Sequence, residues 1–267
     1  MNTTAQENRG DRLAWSVARW AAAQPRLTTF IASPAALAGV RLAQEQLGAK
    51  LALWGHGGAY DPHGEVALFE RAYLFNRRPR ARLSLQQVLE TLSRGTRLLA
   101  TPAQVDGYGN ANLSVIGSWK SPKAALVGTR GLPDATEIHF VIPTHTSRQL
   151  VERVDFVSTC AANRRTPPYL FTELGVLRWS PHESAWRLLE RQPGISVQDV
   201  QRRSGFRVLA DAAVPELPEL PDAMLDGLAR VDPRRIRDLE FVSSAAARQQ
   251  RQMEIEAAER AAADEQQ

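Results

Sequence analysis

The chain has 267 residues, of which 43% are hydrophobic, and this is enough to bury the core of one large α/β domain. Its 33 lysines and arginines exceed its 29 aspartates and glutamates by only four, and both signs are interspersed along the chain. A nucleic-acid-binding surface needs clustered basic charge, so we expect no nucleic-acid partner. The single cysteine, Cys160, excludes an internal disulfide framework and fits a reducing compartment.

No apolar run approaches the roughly 18 residues that a membrane-spanning helix needs, and the first residues lack the pattern of a secretory signal. We therefore expect a cytoplasmic protein that does not contact a membrane. The densest basic stretch, at 77–82, is interpreted as a solvated loop, with steering of a phosphate-bearing ligand as the alternative.

The first 60 residues are predicted to form a helix, a strand, a second helix and a second strand. Asp11 is predicted to cap the first helix, and β-branched and aromatic residues at 27–32 predict the first strand. Ser33 is predicted to cap the second helix, and a short buried strand follows at 51–54. The strands of such a βαβ unit are parallel, and ligands bind outside the carboxyl ends of parallel strands. We therefore expect residues 55–58 at a binding edge.

A second cycle of elements follows. Ser84 and Gln87 stand at capping-box spacing before a helix, and 97–100 predicts a strand that carries residues 104–112 to the same edge of the sheet. Further strands are predicted at 137–142, 151–158, 169–177 and 186–189, the last two paired through a turn at 180–184. The predicted fold class is α/β, with an open, mostly parallel sheet and flanking helices.

The C-terminal third is predicted to be helical and then polar. Ser196 with Asp199 predicts the start of a short helix, and Asp232 with Pro233 predicts the start of another. After Val242 the only large apolar residues are Met253 and Ile255, too few for a stable free helix. We predict one domain over 1–242 and a charged tail over 243–267, helical or disordered. The tail is interpreted as solvated, with a helix docking on a partner as the alternative.

Residues 104–117 read Q-V-D-G-Y-G-N-A-N-L-S-V-I-G. This run resembles the signature Q-V-D-x-Y-G-N-x-N-x-x-x-I-G of the β subunits of glutaconate-type CoA transferases, in CoA-transferase family I. Residues 173–177 (E-L-G-V-L), 192–196 (Q-P-G-I-S) and 233–238 (P-R-R-I-R-D) resemble further segments of those subunits in the expected order. The resemblance covers roughly 12–242. It implies the CoA-transferase-like (NagB/RpiA-like) fold and a homologous α subunit in a heterodimer or heterotetramer. It also implies an acyl-CoA substrate, with coenzyme A as part of that substrate and no permanently bound cofactor.

Members of this family that transfer CoA carry a nucleophilic glutamate in a short E-x-G pattern, where this chain has Gly55, His56 and Gly57. Glycine has no side chain that could attack a thioester. The family also contains decarboxylases and ring-opening hydrolases, which do not need the β-subunit glutamate. We therefore expect carbon–carbon cleavage, hydrolytic or decarboxylative. CoA transfer between carboxylic acids and a non-catalytic scaffold subunit are the alternatives.

His56 is the predicted catalytic residue, because a neutral histidine flanked by glycines could act as a general base near neutral pH. The alternative is a side chain that points away from the site. Asp61, His63 and Glu65 are a second source of a base, but His56, His63 and Asp61 lack the spacing of typical zinc ligands, so no metal is expected. His139 and His145 are interpreted as packing or strand-end residues.

The predicted substrate- or CoA-binding residues share small size or a side-chain amide. They are Gly55, Gly57, Gln104, Asn110, Asn112, Gly128 and Gly131. The two last glycines lie in a segment, 128–134, that resembles a degraded form of the family's glycine-rich loop facing the acyl group. For the three amides the preferred interpretation is structural, because Asp106 and Asn110 can bond their own backbone and fix the turn.

Overall fold

The structure is a computed structural model that describes residues 9–24, 28–29, 33–53, 58–68, 78–92, 97–126, 137–161 and 164–264. The helices are α1 (Arg9–Ala22), α2 (Pro34–Gln46), α3 (Leu85–Leu92), α4 (Val197–Arg203), α5 (Asp222–Val231) and α6 (Ala245–Asp264), with a 3₁₀ helix over Ile236–Phe241. The strands are β1 (Thr28–Thr29), β2 (Ala52–Leu53), β3 (Ala59–Tyr60), β4 (Ala81–Arg82), β5 (Arg97–Ala100), β6 (Gln104–Asp106), β7 (Asn110–Asn112), β8 (Val115–Ser118), β9 (Ser121–Ala125), β10 (Glu137–Ile142), β11 (Leu150–Val151), β12 (Thr159–Cys160), β13 (Tyr169–Thr172), β14 (Gly175–Ser180), β15 (Ala185–Arg191) and β16 (Val208–Leu209).

The main sheet confirms the predicted α/β class. Its strand order is β16-β15-β14-β13-β10-β5, and three of its five strand pairings are parallel. Strands β1 and β2 pair in parallel with α2 as their crossover, which confirms the βαβ unit, and β1 contacts β5. The sheet is therefore open and mostly parallel, with helices packed against it.

Two predicted strands are each interrupted in the structure, whereas the predicted pairing through the turn at 180–184 is confirmed by β14 and β15. The run at 169–177 is a hairpin in which β13 and β14 pair antiparallel, because Thr172 Oγ1 accepts from Leu174 N and donates to Gly175 O, both at 3.2 Å. The run at 151–158 is strand only at its ends, in β11 and β12. Between them the amides of Val154 and Asp155 donate to side chains of the β6–β7 hairpin instead of to a strand.

The 104–112 segment also differs in position from the prediction. It forms the β6–β7 hairpin of a second, four-stranded sheet of order β11-β6-β7-β12, not an extension of the edge of the main sheet. Gly109 has a positive φ, +79°, whereas Gly107 does not. Strands β8 and β9 form a separate antiparallel hairpin, in which β9 is exposed along its whole length.

The predicted caps at Ser33, Ser84 and Ser196 are confirmed. Ser33 Oγ accepts from Ala36 N at 3.2 Å, and the pairs Ser84–Gln87 and Ser196–Asp199 each make the two reciprocal bonds of a capping box. The prediction for Asp11 is wrong, because it lies buried inside α1.

The helix predicted to begin at Asp232 is a 3₁₀ helix that begins later. Helix α5 ends at Val231, and the carboxylate of Asp232 accepts from the amides of Ile236 and Arg237 at 2.8 and 3.0 Å. This carboxylate therefore caps the 3₁₀ helix and sets the direction in which the chain leaves α5.

The two faces of the main sheet bury separate apolar clusters, since side chains alternate along each strand. Leu99, Val141 and Phe171 pack with α1, α2, α5 and the 3₁₀ helix, whereas Leu98, Phe140 and Leu170 pack with the second sheet and α4. In α6, Ile255 is 2% exposed and joins the first cluster. Within the described part of the chain, no helix is both long and apolar enough to cross a membrane.

Candidate functional site

Polar side chains line the edge of the sheet where the parallel strands end. Ser33 follows β1, Thr144 and His145 follow β10, and Glu173 follows β13. Ser33 and Thr144 both bond to Glu240 of the 3₁₀ helix, so the carboxyl ends of β1 and β10 lie at one edge. We call Ser33, Glu240, Thr144, His145 and Glu173 the edge row. Carboxyl ends of parallel strands are where open α/β sheets bind ligands, so this row is the candidate site.

Glu240 stands at the N-terminus of α2. Its Oε2 accepts from Ser33 Oγ at 2.8 Å and from Ala35 N at 3.0 Å, and its backbone carbonyl accepts from Thr144 Oγ1 at 3.4 Å. Burial raises the pKa of Glu240 to about 7, although both hydrogen bonds act to lower it. This carboxyl group can therefore gain or lose a proton close to neutral pH.

His145 links three elements through both of its ring nitrogens. Its Nε2 lies 2.8 Å from Ser204 Oγ and its Nδ1 lies 3.0 Å from Thr172 Oγ1. Ser204 Oγ donates its proton to Val200 O at 2.9 Å, and Thr172 Oγ1 donates its proton to Gly175 O at 3.2 Å. The imidazole therefore bridges two hydroxyl groups that are themselves bonded to backbone carbonyls. Burial, with a smaller effect of Arg203, lowers the pKa of His145 to about 3.

Glu173 is surrounded by cationic groups. Its carboxylate pairs with Arg9 and accepts from the backbone amide of His145 at 3.2 Å, while Arg203 Nη1 lies 3.8 Å away. The guanidinium of Arg9 also lies over the ring of Phe241, 4.9 Å from its centroid. Because the Glu173 side chain is only 3% exposed, these partners take the place of the water that would otherwise solvate its carboxyl group.

Five of the predicted site residues lie outside the described residues: Gly55, His56, Gly57, Gly128 and Gly131. Their assigned roles stay predictions. Elements of the structure flank these segments, since β2 ends at Leu53 and β9 ends at Ala125.

The alternative base at Asp61 is held in place by its neighbours. Asp61 is buried, accepts from Gln44 Nε2 at 3.1 Å, and lies 3.4 Å from Arg80 and 3.9 Å from His63. Among the described residues, no three histidine, cysteine or acidic side chains are grouped as metal ligands.

The amide side chains of the β6–β7 hairpin bond to the chain itself. Asn112 Nδ2 donates to Gln104 Oε1 at 2.9 Å and to Val115 O at 2.6 Å, and Gln104 Oε1 also accepts from Asp155 N at 3.0 Å. Asn110 donates from its backbone and side-chain nitrogens to the carboxylate of Asp106, at 2.9 and 3.1 Å. These contacts support the structural interpretation of the three amides over a ligand-binding one.

Comparisons with known proteins identify relatives of the chain. No protein-family profile matches it. It is 32% identical over 173 residues to the cholesterol ring-cleaving hydrolase IpdB subunit of Mycobacterium tuberculosis (strain ATCC 25618 / H37Rv), which covers 59% of this chain and 69% of that protein. The chain belongs to CoA-transferase family I.

Two further similarities agree with this family. The β subunit of glutaconate CoA-transferase from Acidaminococcus fermentans (strain ATCC 25085 / DSM 20731 / CCUG 9996 / CIP 106432 / VR4) is 29% identical over 174 residues, which is 58% of this chain and 65% of that protein. The crystal structure of the decarboxylase AibA/AibB superposes with a TM-score of 0.77 over 88% of this chain and 99% of that chain, at 21% identity. The superposition shows that the fold is that of the CoA-transferase family.

Membership of CoA-transferase family I fits the part of the edge row that the sequence indicated, whereas Thr144 and Glu240 were missed. The family-like segment 173–177 contains Glu173, and His145 was correctly interpreted as a strand-end residue. Glu240 and Arg203 carried no recognisable signal, because each reaches the edge from a C-terminal element far along the chain. Ser33 and Glu240 are 207 positions apart, so no local sequence pattern predicts their contact.

Proposed function

We propose that this chain is the β subunit of a heteromeric enzyme that cleaves a carbon–carbon bond of an acyl-CoA thioester, by hydrolysis or decarboxylation. The observation that carries the proposal is the 32% identity to the IpdB subunit, which is named as part of a ring-cleaving hydrolase. Gly55 supports it, because it stands where transferases of the family have their nucleophilic glutamate. The partner is a homologous α subunit, which supplies catalytic groups that this chain lacks. We infer a cytoplasmic location, consistent with a single cysteine.

His56 is the proposed base of the hydrolytic reaction. It would take a proton from water while the water oxygen bonds to the β-keto carbon of the acyl chain. The bond to the adjacent carbon then breaks, and its electron pair passes into the thioester as an enolate, which is afterwards protonated at carbon. Amide donors of residues 128–134, including Gly128 and Gly131, would polarise the thioester oxygen, and losing one such donor typically costs about a hundred- to a thousand-fold in rate.

CoA transfer is the second candidate, and the similarity to the β subunit of glutaconate CoA-transferase favours it. The two chemistries differ in a covalent intermediate. Transfer requires a carboxylate of the enzyme to form a thioester with CoA, whereas cleavage by water does not. A third alternative is a non-catalytic scaffold subunit, for which the glycine at position 55 is the supporting observation.

Assembly and chemistry are tested on the co-expressed complex. The chain is produced with the homologous α chain, its oligomeric state is measured by light scattering, and it is incubated with a panel of acyl-CoAs. We expect a stable hetero-oligomer, products of carbon–carbon cleavage by mass spectrometry, and an unchanged mass of this chain. A CoA adduct on this chain would instead establish transfer, with Glu65 or Glu70 as the next nucleophile candidates. Full activity of this chain alone as a monomer would contradict an active site shared with the α chain.

The role of His56 is tested by steady-state kinetics on the same complex. His56→Ala should lower turnover by about a hundred- to ten-thousand-fold and leave CoA affinity nearly unchanged, as positioned acid–base groups do. His182→Ala, in the exposed turn after β14, is the control and should behave as wild type. Wild-type turnover in both variants would remove His56 from the mechanism and favour the scaffold alternative.

A further inference from the structure

Arg203 has a positive charge that its neighbours do not neutralise. Its side chain is 51% exposed, and its Nη1 lies 3.8 Å from Glu173, too far for a hydrogen bond. Glu173 is already in close contact with Arg9 and accepts the His145 amide, so its negative charge is matched before Arg203 is counted. The side chains of Arg9, Glu173 and Arg203 together carry a net charge of +1.

The remaining groups around Arg203 do not change this balance. His145 is neutral near pH 7, since burial lowers its pKa to about 3, and Ser204 is an uncharged hydroxyl. The acid on the same helix, Asp199, pairs with Arg202 instead. The charge of Arg203 is therefore available to a ligand at the edge of the sheet.

The position of this charge indicates which part of a ligand it would meet. Glu173 marks the carboxyl end of β13, and the predicted catalytic segment at 55–57 follows β2. Strands β1, β5 and β10 lie between β13 and β2, since β13 pairs with β10, β10 pairs with β5, β1 contacts β5, and β1 pairs with β2. Arg203 and the end of β2 at Leu53 thus lie at opposite sides of this edge.

We propose that Arg203, backed by the Arg9–Glu173 pair, is a binding subsite for an oxyanion at the far end of the acyl-CoA substrate. Guanidinium groups bind carboxylates and phosphates through paired N–H donors, so the anion is a carboxylate of the acyl chain or a phosphate of CoA. Arg9 contributes by neutralising Glu173, which would otherwise repel the anion. This inference rests on the proposed function for the identity of the ligand, but not for the presence of the subsite.

Arg202 provides a matched control. It neighbours Arg203 on α4, its side chain is 70% exposed, and its guanidinium pairs with Asp199. Arg202→Ala and Arg203→Ala remove the same charge from adjacent positions, so their long-range electrostatic effects are nearly equal. A difference in binding between the two variants isolates the subsite.

The experiment is calorimetric titration of the complex and of each variant with glutaryl-CoA, butyryl-CoA and CoA. If the subsite binds an acyl carboxylate, Arg203→Ala should weaken glutaryl-CoA binding about tenfold or more and leave butyryl-CoA binding unchanged. If it binds a CoA phosphate, all three ligands should weaken equally. Arg202→Ala should stay within about twofold of wild type, since exposed charges are screened. Equal affinities for the Arg203→Ala and Arg202→Ala variants would overturn the proposal.

Failure of the proposed function has a different signature. In that case the wild-type complex binds none of the three CoA ligands, and the titration is repeated with glutarate and with inorganic phosphate. Weaker binding of either anion by Arg203→Ala than by Arg202→Ala would support the subsite without the acyl-CoA function. No difference between the variants with these anions would overturn the subsite as well.

Discussion

Because of His145, the free energy of unfolding depends on pH in the acidic range. Its pKa is about 3 in the folded protein and about 6.5 in an unfolded chain, so between these values the unfolded state binds more protons. The free energy of unfolding therefore falls as the pH drops below about 6.5, by up to roughly 1.4 kcal/mol per pH unit for one such group. His139, whose pKa burial also lowers to about 3, adds a second contribution of the same sign.

We predict that His145→Gln reduces this acid sensitivity. Urea unfolding at pH 7 and pH 5 should show a smaller loss of stability in the variant than in wild type, because one of the two buried imidazoles is gone. At pH 7 the variant itself should be destabilised by about 1–3 kcal/mol, since Thr172 and Ser204 lose their partner. His182→Gln, in an exposed turn, should keep the wild-type pH dependence. Parallel pH profiles for His145→Gln and wild type would show that His145 is not buried in its neutral form.

The contribution of Glu240 to stability changes with pH in the opposite direction. Its pKa is about 7 when folded and about 4.5 in its ordinary state, so the folded protein binds more protons in this interval. The contribution of Glu240 to stability is thus largest below pH 4.5 and is lost as the pH rises towards 7. Replacing it with glutamine keeps an acceptor for Ser33 and Ala35 but removes the titration.

We therefore predict that Glu240→Gln becomes more stable relative to wild type as the pH rises from 5 to 8. The relative gain should be on the order of 1–3 kcal/mol, because each unit of pKa shift corresponds to about 1.4 kcal/mol. Urea unfolding at the two pH values measures it. Glu254→Gln, which changes an exposed glutamate of α6, is the control. Its stability relative to wild type should change less between the two pH values. A pH-independent difference between Glu240→Gln and wild type would mean that Glu240 is charged throughout this range.

At the scale of single residues, the sequence identified motifs better than it identified contacts. The caps at Ser33, Ser84 and Ser196 were predictable because each depends on a partner three residues away. Glu240 was not, because its perturbed pKa depends on burial against Ser33 and Ala35, which are distant in sequence. The spacing of nearby residues in the sequence does not show that the carboxyl group of Glu240 will be buried.

The β6–β7 hairpin depends on close packing at Gly109. Its φ is +79°, and a Cβ atom there would lie 2.7 Å from the Cβ of Ala161 and 3.0 Å from the ring of Trp179. Gly194 has a similar φ, +77°, but a Cβ atom there would meet nothing within 4 Å. The two glycines therefore separate the cost of backbone strain from the cost of crowding.

We predict that Gly194→Ala destabilises the protein by about 1 kcal/mol, the cost of the left-handed conformation alone. Gly109→Ala should cost about 1–3 kcal/mol more, because an added methyl group overpacks a filled site. Urea denaturation of both variants measures the difference. Equal costs would mean that Ala161 and Trp179 move aside without penalty.

Element type was predicted more reliably than element boundaries. The βαβ unit and the strands at 97–100 and 137–142 follow from apolar and β-branched runs, and the structure confirms them. The run at 169–177 was misassigned because Glu173 and Leu174 form a two-residue turn that lacks the asparagine–glycine signature of tight hairpins. The turn is closed by the side chain of Thr172, which hydrophobic periodicity does not register.

Across the whole molecule, Arg237 joins the first helix of the described chain to the 3₁₀ helix near its C-terminal end. It is 2% exposed, and its Nε donates to Asp11 at 2.6 Å while its Nη1 donates to the carboxylate of Asp232 at 2.9 Å. Asp11 is in α1 and Arg237 is in the 3₁₀ helix, 226 positions later. Burial raises the pKa of Asp232, and the charge of Arg237 opposes that rise.

We predict that Arg237→Ala costs about 3–5 kcal/mol, because it leaves the Asp232 carboxylate buried without its cation and leaves Asp11 with Arg235 alone. Arg251→Ala removes an exposed ion pair with Glu254 and should cost less than about 1 kcal/mol. Urea denaturation at pH 7 measures both. Similar small losses in the two variants would show that water replaces Arg237 at the carboxylates.

The family and the fold class could be predicted for the whole molecule, whereas the relation between its ends could not. The signature at 104–117 and the order of the other family-like segments were sufficient for the family. The segment 233–238 resembles the family's β subunits, but its sequence does not indicate that Arg237 binds Asp11. That contact depends on how α1 and the 3₁₀ helix pack, which is a property of the assembled core.

The β8–β9 hairpin has a spectroscopic consequence. Trp119 near its tip is 71% exposed and stacks on Phe156, with ring centroids 5.3 Å apart. The other described tryptophans, Trp15, Trp20, Trp179 and Trp186, are buried or half-buried. Collisional quenching by iodide should therefore act mainly on the emission of Trp119 within this described set. The hairpin thus contains a native optical label, which allows its environment to be followed by fluorescence as a second chain is added.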